Sequence, residues 1–184
     1  MPSTPSAASS RETPLSAEAL AALETLRLLA ASPFDDVSAP RALQAALEAI
    51  RLHYGALLHY ESEGPTLSLV CHQGLTSRAV EAIRLIRRGV SGVWDMPLHA
   101  VLQRRVYLIE RPRENPFVPV LLDEEQGVLT NVAVLPLFSA GSVTGALLLV
   151  GSGVHAIHET DILTLREHAK MLGSGLRRPA KAVS

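Results

Sequence analysis

Apolar and polar positions alternate along this chain in two rhythms, and the changes between them mark its elements. The first fourteen residues, MPSTPSAASSRETP, have no period and predict a disordered lead-in over 1–14. Ser16 stands where a helix cap belongs, with Glu18 in the first turn, and Leu20, Leu23, Leu26 and Leu29 then fall on one side. The segment SPFDDVSAP breaks that helix. From Ser38 the spacing of Leu43, Ala46, Leu47, Ile50 and Tyr54 predicts a second helix, closed by Gly55. Two extended runs, 56–60 and 66–71, flank ESEGP and predict a hairpin, with Leu67, Leu69 and Cys71 on one face. Thr76 or Ser77 caps a helix whose inner positions are Val80, Ile83 and Ile86, with Arg84, Arg87 and Arg88 outside. Residues 89–103 read as irregular to helical, and 106–110 as a strand. The two prolines of RPRENP force a loop, and a short helix is expected from Val120 to Gln126.

The strongest signal comes later. Asn131 to Phe138 and Val143 to Val150 are almost continuously apolar and flank the turn Ser139-Ala140-Gly141-Ser142. A half-exposed antiparallel ribbon would alternate, so this one is covered on both faces. Pro136 implies a bulge or an unpaired position. A last helix runs from about His158 to Leu176, with a stripe at Ile162, Leu165, Ala169, Leu172 and Leu176. That stripe suits packing on the sheet or pairing with another subunit; Leu163 and Met171 lie off it. The divisions expected are 1–14, a helix and linker over 15–37, the main domain over 38–176, and a basic tail over 177–184.

Composition narrows the function classes. The 184 residues carry 17 Lys+Arg against 18 Asp+Glu, a net charge of -1, which gives no overall pull toward nucleic acid or an anionic membrane. One cysteine excludes an intrachain disulfide and any Cys-rich zinc site. The longest apolar run, Ala146 to Val150, is far short of the ~20 residues of a membrane helix, and no secretory signal is visible, so a cytoplasmic protein is expected.

Most chemical motifs fail. The Gly-Ser-Gly triplets at 151–153 and 173–175 extend to neither GxGxxG nor a P-loop, and read as turn and helix-end residues. No serine is set in GxSxG. His155 and His158, beside Glu159 and Asp161, have usable metal spacing but stand at a strand-to-helix connection, where they serve equally as caps. The other histidines, among them His168, read as surface or satisfied interior residues. Cys71 lies on an apolar face, which favours an inert buried thiol over a reactive one.

The order of elements resembles the GAF family of bacterial sensory domains over roughly 38–176. LSLVCHQGL is similar to that family's second strand and turn, GVSGVW to its entry into the next helix, and VYLIERPRENP to the strand opening the ligand-side loop. TNVAVLPLFSAGSVTGALLLV resembles its paired central strands and AIHETDILTLREHAKML its final helix. The resemblance implies an α+β fold, an α/β/α sandwich with an antiparallel sheet of five or six strands covered by helices on both faces, and a small-molecule pocket on one of them. Bilin-binding members attach their chromophore through a cysteine, and Phe117 to Leu129 has none. Of the cyclic-nucleotide signature only Asp161 is retained. The enzymatic branch that reduces free methionine sulfoxide uses several cysteines, which the lone Cys71 does not supply. The stretch WDMPLHAVLQRR is longer than the family pattern.

From this resemblance, Trp94, His99, Tyr107, Phe117 and Asn131 are the candidate ligand-binding residues, supplying aromatic walls and polar anchors. With aromatics so scarce, Trp94, Tyr107 and Phe117 also suit a filled core. Leu20, Leu23, Leu165 and Leu172 are the candidate dimer contacts. The expected protein is a non-catalytic signalling domain, a homodimer without metal or cofactor, that binds a small-molecule ligand, a signalling partner protein, or both, and relays the signal through its terminal helices. The alternatives are a docking adaptor with a vestigial pocket, and a GAF-fold enzyme.

Overall fold

Four of the expected helices and every expected strand are present, and their ends show where tertiary pairing overrules local pattern. The computed structural model describes residues 14–90, 94–153 and 155–177. The lead-in over 1–13, residues 91–93 of GVSGVW and the tail over 178–184 lie outside the described residues. Helix α1 (Ala17–Leu29) begins where Ser16 Oγ accepts from the Ala19 N–H at 3.1 Å. Helix α2 (Ser38–Glu48) follows, then strands β1 (Tyr54–Glu61) and β2 (Thr66–Gln73), helix α3 (Ser77–Ile83) and strand β3 (Leu85–Arg87). Helix α4 (Met96–Gln103) and strand β4 (Tyr107–Ile109) lead through two short 3-10 turns to the hairpin of β5 (Leu129–Ser139) and β6 (Ser142–Ser152), and α5 (Glu159–Gly175) ends the fold.

The six strands make one antiparallel sheet in the order β3-β2-β1-β6-β5-β4. The β5–β6 pair sits inside it, between β4 and β1. Ala140 and Gly141 both take left-handed backbone, φ 48 and 80, the geometry that two-residue hairpins need. β4 pairs only with Val132–Val134, so Pro136 lies past its end; the bulge falls beside it, between Leu137 and Phe138.

Both faces of the sheet are covered. Ala133, Leu135, Leu137, Leu147 and Leu149 pack with Leu43, Leu47, Leu165 and Leu172 under α1, α2 and α5. Val132, Val134, Ala146, Leu148 and Val150 pack with Ile83, Trp94, Leu98, Val101 and Leu121 under α3, α4 and the loop after β4. The α1 segment, expected to precede the domain, shares the first of these cores through Ala19, Ala22 and Leu26.

Four sequence expectations are corrected. The second helix stops at Glu48; Tyr54 and Gly55 open β1 instead of continuing and closing the helix. Ile86 belongs to β3, where Leu67 and Ile86 pair, so the helix before it is shorter than its apolar spacing suggests. The expected helix over 120–126 is reduced to a single 3-10 turn at Glu124–Gln126. Cys71 does not share a face with Leu67 and Leu69, because the register slips between Leu57 and Leu58 and leaves Val70 as the extra residue. Cys71 then packs toward α1, α2 and α5, and Leu69 toward α4.

Candidate functional site

The connection from α4 to β4 brings two of the expected ligand residues together. The His99 and Tyr107 rings lie with centroids 5.7 Å apart, tilted by 57°, His99 exposed and Tyr107 half-buried. Trp94, at 4% exposure, is part of the core under α4, and Tyr107 packs on that same core. Phe117 stands 71% exposed on the loop after β4. Asn131 is occupied elsewhere: its Nδ2 donates to the Ile157 carbonyl at 2.8 Å and its Oδ1 accepts from the Ile157 N–H at 2.9 Å. That pair of bonds pins the chain between β6 and α5 to the start of β5. Among the clefts on the described surface, one lies beside Arg177 and the β1–β2 turn, one between α1 and α2, and one between α5 and β5, with volumes of about 200, 520 and 330 Å³. None of these three is lined by the five expected residues.

The expected dimer contacts separate into two groups. Leu165 and Leu172 are fully buried against the protein's own sheet, which leaves them no surface for a second chain. On α1 the buried positions are Ala19, Ala22 and Leu26; Leu20 is 53% exposed and Leu23 half-buried.

What the sequence did not show is how α1 and α5 are fastened together. His168 is wholly buried, its Nε2 2.7 Å from the Ala19 carbonyl and its Nδ1 3.1 Å from the Thr164 carbonyl. The Phe34 N–H donates to the Gly175 carbonyl at 2.7 Å, and the Phe34 ring occupies the space a side chain at 175 would fill. Arg177 donates to the Ala30 and Ala31 carbonyls at 3.4 and 3.1 Å, closing the open end of α1. His168 carried one sequence signal: it falls three residues after Leu165 and four before Leu172, on the buried side of the helix.

Helix α5 is equally fixed to the sheet. Thr144 Oγ1 on β6 donates to the Gly173 carbonyl at 2.9 Å. A Cβ at Gly173 would lie 2.1 Å from the Phe138 carbonyl oxygen, so only glycine lets helix and strand approach this closely. The second Gly-Ser-Gly triplet is thus a packing device, with both glycines buried.

Cys71 is half-buried, and burial pushes its thiol up to about 12, well away from a thiolate at neutral pH. His158 stands at the cap of α5, its N–H donating to Asp161 Oδ2 at 2.8 Å, and His155 meets His53 edge-on at 5.7 Å. Among the described residues no three His, Cys, Asp or Glu side chains gather as a metal site, and no helix is long and apolar enough to cross a membrane.

No family model and no curated protein sequence matches the chain. Solved structures do. The GAF domain of an Acinetobacter phosphoenolpyruvate-protein phosphotransferase aligns over 88% of this chain and 93% of its own, at 12% identity and a TM-score of 0.64. The corresponding GAF domain from Coxiella burnetii covers 85% and 93%, at 16% identity and a TM-score of 0.59. Free methionine-R-sulfoxide reductase from Neisseria meningitidis, solved with its substrate, covers 90% and 93%, at 19% identity and a TM-score of 0.60. The chain has the GAF fold. The reductase corrects one expectation: the same architecture carries catalysis, so the not-an-enzyme reading does not stand.

Proposed function

We propose that this chain is a sensory module that takes a small molecule on the α4 side of its sheet, beside His99 and Tyr107, and delivers the change to a partner protein through α5 and α1. One observation carries the reading: the β5–β6 hairpin is a shared floor, with α4 packed on one face and α5 on the other. A ligand beside α4 acts on that floor, and Gly173 and Thr144 join the floor to α5. His168 and Arg177 then join α5 to α1. A ligand moves such a system only by the difference in its affinity for two arrangements. The exposed Leu20 and half-buried Leu23 are the surface through which α1 would meet a second copy.

Native mass spectrometry of the protein purified from its own host tests the ligand and the subunit number together. A bound small molecule is expected in the parent and is lost when His99 and Tyr107 are both changed to alanine; a parent that carries no adduct ends the ligand reading. The relay is tested by His168→Ala. Faster amide hydrogen exchange is expected in α1 while β5 and β6 keep their protection, and unchanged α1 exchange would remove His168 from the path.

A further inference from the structure

Between α5 and the β5 end of the sheet, a groove opens beside α5. Its floor is Leu135, Pro136 and Phe138 of β5, and its walls are Val106, just before β4, and Leu163 of α5. Val106 and Leu163 are 45% and 59% exposed, so two large apolar side chains face water across an apolar floor. The cleft measures about 330 Å³. Its α5 wall runs from Ile162 to Lys170, roughly 12 Å of helix.

Charge around this groove has one prevailing sign. Arg166 and Lys170 rise from α5 along the rim, and Arg104 lies over the Phe138 ring with its guanidinium carbon 4.9 Å from the centroid. Among the described residues neither Arg166 nor Arg104 has a carboxylate partner. Lys170 is paired with Glu167 at 2.6 Å, but the pair is exposed and worth little, so the ammonium can exchange that partner for another. Two acidic residues, Glu159 and Glu167, flank Leu163 one turn to either side on α5, and Glu167 is the one held by Lys170.

We infer that this groove docks an acidic amphipathic helix of a partner protein, with apolar side chains seated against Leu135, Phe138 and Leu163 and carboxylates meeting Arg104, Arg166 and Lys170. A helix suits it better than an added strand, because Pro136 has no N–H to offer a strand laid along β5. Cationic rims on both sides of an apolar floor select the sign of the partner's flanks, which is how charge confers specificity. The surface is independent of the relay, since it needs neither a ligand at His99 nor motion of α1.

The test is fluorescence anisotropy of a dye-labelled peptide of about 14 residues, roughly four helical turns, with leucines along one face and glutamates on both flanks. The whole chain is titrated against it and against a twin with lysine in place of every glutamate. The acidic peptide is expected to bind about tenfold or more tighter than its twin in low salt. Changing Arg166→Glu and Lys170→Glu together is expected to reverse that order, and Leu163→Asp to abolish binding of both. Leu163 is a surface residue, so the circular dichroism spectrum should be unchanged; Leu163→Ser is read in its place if it is not. Equal binding of the two peptides, or binding of neither, overturns the proposal. A dimer of the chain that Leu163→Asp splits, or capture by phosphatidylserine vesicles that it abolishes while neither peptide binds, would place a second copy or a membrane there and overturn it as well.

Discussion

Asp35 decides where α2 starts, although it lies outside the helix. Its carboxylate accepts from the Ser38 N–H at 2.7 Å, the Ser38 hydroxyl at 2.8 Å and the Val37 N–H at 3.0 Å, and these bonds hold its carboxyl below the usual range. The folded protein therefore binds this proton less readily than the unfolded chain. The stabilisation is complete above the unfolded pKa of about 3.9 and disappears as the pH falls through the lower folded value. Asp35→Asn is expected to lower the thermal midpoint at pH 7, with the gap to the parent closing as acid is added; a gap independent of pH would show that the carboxylate is not the cause. Leu165→Asp tests burial. A carboxylate placed at a fully buried position of this core is expected to cost about 3 kcal/mol or more, and so to unfold the chain instead of separating subunits, read by circular dichroism. Caps such as Ser16 and Thr76 were legible because each serves a backbone N–H three residues on. His168 was not, because its partner at Ala19 is distant in sequence and nothing local announces it.

Among the elements, legibility followed how many neighbours each one needs. The β5–β6 hairpin was plain from its unbroken apolar runs, because a strand buried on both faces has no polar positions to spare. The end of α3 was not, since Ile83 and Ile86 suit a helical face as well as a strand, and pairing with β2 decides between them. Period-two counting through Val70 also failed, because a bulge reverses every side chain beyond it without any change in composition. The contact of α5 with Phe138 gives a prediction at this scale. Gly173→Ala adds a methyl group where backbone already stands, and is expected to destabilise by about 1–3 kcal/mol, measured as a lower denaturation midpoint with unchanged slope. Were the contact absent, the same change would stabilise α5 through helix propensity.

For the molecule as a whole, the fold followed from element order, whereas the candidate site was legible only in part. His99 and Tyr107 come together because a short turn separates α4 from β4, but Asn131 is spent on Ile157 and Phe117 projects from its loop. Residue types alone did not distinguish a side chain awaiting a ligand from one already satisfied by backbone. Leu20→Asp belongs to this scale. Its side chain is exposed, so the fold should persist, and sedimentation velocity should show any dimer built through α1 reduced to monomer; a dimer that survives the change uses another surface.

The fastening of α1 to α5 also fixes a direction. Ala19, early in α1, meets His168 in the middle of α5, and Ala30 at the far end meets Arg177, so both helices point the same way. Polypeptide attached ahead of Ser16 and polypeptide attached behind Arg177 therefore emerge at opposite poles of the pair, about 20 Å apart along the roughly 1.5 Å-per-residue axis. Tandem copies joined end to end through these poles would string out in single file instead of folding back on one another.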